Sequence, residues 1–173
     1  MNQNKSKKII VFITHSLGEL DVLLPLFCGL KKKYKVEIEF IFLVKKIYKQ
    51  FLINKFYIFC TNKLDIKCNY CIFPNKFDFR GGFYERKIGR RLLRIFFLIL
   101  NIKNFFLLFK KLISADYYMY EFSSQIHLMF FLNIFNFLFK KTNICYHHGH
   151  TINIDSNFKI NKFDLVIDWG FMY

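Results

Sequence analysis

Lys7 to Leu30, KKIIVFITHSLGELDVLLPLFCGL, decides the fold class of this chain. A basic pair leads into Ile9-Ile10-Val11-Phe12-Ile13, a short apolar run rich in β-branched residues and bounded by turn formers. A run of that kind reads as a strand buried on both faces, as in a parallel sheet. Thr14-His15-Ser16-Leu17-Gly18 then makes a turn. From Glu19 onward, Leu20, Leu23, Leu24, Phe27 and Leu30 recur at the spacing of one helix face. Strand, glycine-containing turn and helix are the first half of a βαβ unit, where ligands sit beyond the carboxyl ends of the strands and at helix N-termini. His15, Ser16, Gly18 and Glu19 are therefore candidates for a functional rim.

The rest of the chain extends the same pattern. Lys31-Lys32-Lys33 sets cations at a helix C-terminus, where the helix dipole favours them. Val36 to Val44 predicts a second central strand, and Lys45 to Asn54 a short amphipathic helix. Phe56 to Cys60 is a third strand candidate and Tyr70 to Phe73 a fourth. Pro74 to Gly89, with Gly81-Gly82 and mixed charges, reads as a loop. Arg90 to Leu112 is helical in pattern, cationic at its start and apolar in the middle, and too short in its apolar part to span a bilayer. Tyr117 to Tyr120 predicts a strand, about Gln125 to Phe139 a helix, Asn143 to Tyr146 a strand and Phe163 to Asp168 a last one. Strand and helix alternate throughout, with no internal repeat and no linker. The expectation is one α/β domain over residues 1–173: a Rossmann-like, doubly wound, mainly parallel sheet with helices on both faces.

Composition narrows the function classes. At 173 residues, 54% hydrophobic and 21% aromatic, the chain has a real core and is not disordered. Its net charge of +15 suits an anionic membrane, a phosphorylated ligand or nucleic acid. No zinc-finger spacing, basic zipper or RNA-binding aromatic motif is present, which disfavours nucleic acid. The five cysteines are odd in number, and Met1 to Lys8 has no apolar signal-peptide core, so a reduced, cytoplasmic setting is expected. Cys68-Asn69-Tyr70-Cys71 lacks a second CxxC or a histidine pair and reads as two chance cysteines.

Two rim stretches carry the chemistry: His15-Ser16-Leu17-Gly18-Glu19 and His147-His148-Gly149-His150-Thr151. Each follows a predicted strand, so both open on one edge of the sheet. A carboxylate and several imidazoles meeting there is how acid/base sites are assembled, and glycines with helix-start N–H groups suit phosphate. The bland readings stand beside these. Glu19 in the first turn of a helix favours the dipole with no catalysis, and His15 can serve its turn alone. His147, His148 and His150 are poorly spaced to face one ion from a strand end, so no metal and no cofactor is expected. Glu121 also ends a strand at the rim. Arg90 and Arg91, like Arg80 and Arg86, suit an anionic acceptor or lipid headgroups.

Ser16-Leu17-Gly18-Glu19-Leu20, followed by Leu24-Pro25-Leu26, resembles the start of bacterial glycosyltransferases of the two-domain GT-B fold, those of lipopolysaccharide and capsule synthesis. The strand leading to His148-Gly149 resembles the late "HG" of their N-terminal domains. The resemblance implies that Glu19 is the catalytic base toward an acceptor hydroxyl and that His148 is a second catalytic residue. His15, Ser16, Gly18, Gly149, His150, Thr151, Arg90 and Arg91 would bind substrate. It also implies metal-independent transfer from a nucleotide-sugar donor to a surface-glycan or lipid-linked acceptor. The nucleotide-sugar domain that completes such enzymes has no counterpart here, so donor binding would need a second domain or a partner chain. The setting implied is cytoplasmic, peripheral on the inner membrane face. Two rivals remain: a non-catalytic membrane-peripheral module binding an anionic glycan or lipid, and a small hydrolase using the His147–His150 cluster.

Overall fold

The computed structural model describes residues 6–71, 102–121, 136–146 and 165–167. The elements run β1 (Lys7–Ile13), α1 (Glu19–Lys33), β2 (Val36–Phe42), α2 (Lys45–Ile53), α3 (Lys55–Lys63), β3 (Ile66–Tyr70), α4 (Ile102–Ser114), β4 (Tyr117–Glu121), β5 (Thr142–Tyr146) and β6 (Leu165–Ile167). The six strands pair in the order β3-β2-β1-β4-β5-β6, every pair parallel. That is the doubly wound Rossmann order. Its strand order reverses between β1 and β4, and in open sheets of this kind ligands bind beyond the carboxyl ends of the strands at such a point.

The central strand is apolar on both faces because both are covered. Ile9, Val11 and Ile13 pack with Phe40 and Phe42 against Leu20, Leu23 and Phe27 of α1, Phe51 of α2 and Tyr57 of α3. Ile10 and Phe12 turn the other way, onto Leu108 and Leu112 of α4 and onto Tyr118 and Tyr120. Each such side chain, fully removed from water, contributes about 2 kcal/mol. Polar groups also lie on the second face, Asn143 beside Tyr118 and Glu39 beside Ile10. Glu39, buried in β2, pairs with Lys8 at 3.3 Å and with Lys111, and accepts from Asn69 at 2.8 Å.

Two strand predictions fail. Phe56 to Cys60 is the middle of α3 and not a strand, and the strand that follows is Ile66–Tyr70, earlier than the predicted Tyr70 to Phe73. Asn54 starts α3 by accepting from the N–H groups of Phe56 (3.1 Å) and Tyr57 (3.2 Å), as an N-cap does. Tyr57 and Thr61, four apart, are its buried stripe. Cys68 lies in β3 and Cys71 just past it. Burial pushes the Cys68 thiol up to about 12 and holds the Cys71 thiol above the ordinary range, so neither is a ready thiolate.

Candidate functional site

The site is built at the switch point from the ends of β1, β4 and β5. β1 stops at Ile13, and Thr14 to Gly18 turn the chain into α1. Gly18 caps that helix without a side-chain hydrogen bond. Glu19, its first residue, instead folds its carboxylate back under the turn. Oε1 accepts from the N–H groups of Thr14 (3.0 Å), His15 (2.5 Å) and Ser16 (3.1 Å). Three successive N–H groups aimed at one point form a nest of the kind that holds anions. The sequence reading offered N–H groups here to a phosphate; those of Thr14, His15 and Ser16 are taken by the protein's own carboxylate.

The other oxygen of Glu19 reaches across the sheet. Tyr146, the last residue of β5, donates its hydroxyl to Glu19 Oε2 at 2.5 Å, and that hydroxyl also lies 3.3 Å from the Phe12 carbonyl. Glu19 and Tyr146 both have no solvent exposure. Burial, and then the charges of Glu19 and Glu121, push the Tyr146 hydroxyl well above its ordinary value. It therefore remains a protonated donor at any pH the folded chain meets.

The third member is a pair. His15 Nε2 lies 3.0 Å from Oε2 of Glu121, whose side chain is only 3% exposed, whereas that of His15 is 36% exposed. Glu121 ends β4, the neighbour of β1 across the switch point. A buried carboxylate holding one imidazole nitrogen fixes the ring's tautomer and orientation. Sequence reasoning noted Glu121 only as a rim residue and passed over Tyr146. The signal for Glu121 was a lone carboxylate closing an apolar strand on the same edge as Glu19. Tyr146 carries no local signal, since its partner is 127 residues away.

Of the predicted site residues, the structure brings together His15, Ser16, Gly18 and Glu19 on this rim. His148, Gly149, His150, Thr151, Arg90 and Arg91 lie outside the described residues, as do Arg80 and Arg86. Among the described residues no group of histidine, cysteine and carboxylate side chains is arranged to hold a metal ion. No described helix is long and apolar enough to cross a membrane.

No protein-family model matches the chain, and no curated protein matches it. Among solved structures it is similar to Phytolacca americana UGT2 complexed with UDP-2fluoro-glucose and pterostilbene, at 11% identity and a TM-score of 0.47. The similarity covers 83% of this chain, which spans 30% of that one. The class that strand order and site geometry define is a Rossmann-like α/β domain with a histidine–carboxylate pair at its switch point.

Proposed function

We propose that the chain is the acceptor-side domain of a glycosyltransferase, with His15 rather than Glu19 as the group that takes the acceptor's proton. The observation that carries this is the His15–Glu121 pair, 3.0 Å apart at the carboxyl ends of β1 and β4. The glycosyl part of the reading is supported by the resemblance of Ser16 to Leu20 and of His148-Gly149 to such enzymes. The acceptor hydroxyl gives its proton to Nδ1, the nitrogen Glu121 does not hold, as its oxygen attacks the anomeric carbon of a nucleotide sugar. The bond from that carbon to the nucleotide's phosphate oxygen breaks, and the nucleotide leaves with the electron pair. Glu121 stabilises the imidazolium formed, the part a buried carboxylate plays beside a catalytic histidine. Glu19, fully enclosed by its donors, acts on this reading as a positioning residue for the turn that carries His15.

The donor is bound by a second domain or a partner chain, and the acceptor is a surface glycan or a lipid-linked sugar at the cytoplasmic membrane face. The test is sugar transfer by the natural gene product, with any companion chain encoded beside it, from UDP-, GDP- and CMP-sugars to a membrane-lipid extract. His15→Ala is expected to lower turnover about 10²- to 10⁴-fold, the usual worth of a positioned base. A folded His15→Ala protein with wild-type turnover would refute the assignment. If Glu19→Gln alone abolished transfer in a normally folded protein, the base would move back to Glu19.

A further inference from the structure

Among the described residues, the helices α2 and α3 carry an apolar surface that no other element covers. Leu52 (51% exposed), Ile53 (81%), Phe56 (64%) and Phe59 (62%) stand outward around the Asn54 junction, while Ile47, Phe51, Tyr57 and Thr61 face the core. Exposed large side chains are ordinary singly, but four gathered at one helix junction are a patch. Its surroundings are cationic. From Lys45 to Leu64 there are five lysines and no aspartate or glutamate, with Asp65 next in the chain and Asp21 of α1 held by the Tyr57 hydroxyl at 2.7 Å. Lys49 is one turn from Ile53 on the exposed side of α2, and Lys63 Nζ lies 5.9 Å from the centre of the Phe59 ring. The patch also continues inward. Phe56 and Lys63 also line a cavity of about 340 Å³ between α1 and α3, together with Leu20, Asp21, Leu24 and Pro25.

We infer that this α2–α3 face is the surface by which the domain docks on an anionic lipid bilayer. Aliphatic and aromatic side chains ringed by lysines match the boundary between acyl chains and anionic headgroups: the apolar part enters, and the long lysine stems reach up to phosphate. The charge pattern selects among occupants. A second copy of the chain would set lysine against lysine. A nucleic acid would use the lysines but find no flat ring at Leu52 and Ile53 on which to stack a base. The inference gives a place to the membrane contact in the proposed function, and its test needs no sugar transfer. Vesicle binding and turnover can therefore fail separately.

The experiment is co-sedimentation of the full chain with phosphatidylcholine vesicles and with vesicles that also contain phosphatidylglycerol. The wild-type chain is expected to pellet only with the anionic vesicles. Reversing Lys49, Lys55 or Lys63 to glutamate should weaken binding at least about fivefold each, since a lysine near such a surface contributes that much. Ile53→Asp together with Phe56→Asp should release the chain, with an unchanged thermal melt because both side chains are exposed. Three results would overturn the inference: no vesicle binding by the wild type, retained binding by Ile53→Asp/Phe56→Asp, or loss caused by Arg90→Glu/Arg91→Glu instead. Binding to heparin or RNA without binding to vesicles would assign the face to a polyanion and would equally overturn it.

Discussion

Of the three glutamates buried among the described residues, Glu39 and Glu19 meet their charge in different ways. Glu39, in the middle of β2, is met by cations, Lys8 and Lys111, with Asn69 as a further donor. Glu19, at the rim, is met by dipoles: three backbone N–H groups and one tyrosine hydroxyl. The first arrangement cancels charge and locks a sheet face to α4. The second satisfies the carboxylate's hydrogen bonds but leaves its negative charge in place, next to a second buried carboxylate, Glu121. At the switch point Glu19 holds the turn and Glu121 holds His15. The comparison separates a structural ion cluster from a polarised rim.

The largest expected effect tests the rim. Glu19→Ala strands three N–H groups and the Tyr146 hydroxyl, each worth about 1 kcal/mol or more when buried without a partner. A loss of about 4 kcal/mol in denaturant unfolding is expected. Glu19→Gln keeps an acceptor oxygen and should lose clearly less. Equal losses would mean that the carboxylate's charge, and not its hydrogen bonding, holds the turn.

Glu39→Ala comes next. Removing one member of a buried ion cluster leaves Lys8 and Lys111 uncompensated, at about 3 kcal/mol. Burial raises the Glu39 carboxyl, but Lys111 and Lys8 outweigh it and hold its pKa below the ordinary value of 4.5. The fold thus favours the ionised form. Its contribution is full above pH 4.5 and disappears as pH falls below that value. Unfolding measured against pH should show wild type and Glu39→Gln converging on the acid side. A gap that widened toward low pH would contradict the cluster.

Tyr146→Phe should have the smallest effect on stability, about 2 kcal/mol for one lost hydrogen bond to a charged acceptor. It should also loosen the turn, read as faster amide exchange at Thr14, His15 and Ser16. Unchanged exchange there would show that the backbone nest holds Glu19 without help from β5.

Much of this was legible before any coordinates. Ile9 to Ile13 and Phe40 to Val44 are apolar on successive residues, which only a doubly covered strand requires, and the helical stripe from Leu20 to Leu30 is regular. Alternation of such elements leads to a doubly wound sheet. α3 was misread for a reason tied to its surface. Phe56 and Phe59 are apolar on the solvent side, so the contrast between faces that marks an amphipathic helix is erased, and Tyr57-Ile58-Phe59 mimics a strand. Of the site, His15 and Glu19 could be found because they flank one turn. The pairing of His15 with Glu121 and of Glu19 with Tyr146 depends on strand order, which brings together residues more than a hundred positions apart. Glu19 also shows how a carboxylate under a turn and a carboxylate facing a substrate look alike in sequence.

The central claim is that Glu121 holds His15 in one orientation and one tautomer, ready to accept a proton at its other nitrogen. The most direct measurement is ¹⁵N NMR of the imidazole nitrogens of the neutral ring, assigned to His15 by its absence in His15→Gln. The account predicts a single neutral tautomer in the wild type, with the proton on Nε2 and an unprotonated Nδ1, and a mixed population in Glu121→Ala. A wild-type ring protonated on Nδ1, or a tautomer balance indifferent to Glu121→Ala, would contradict it.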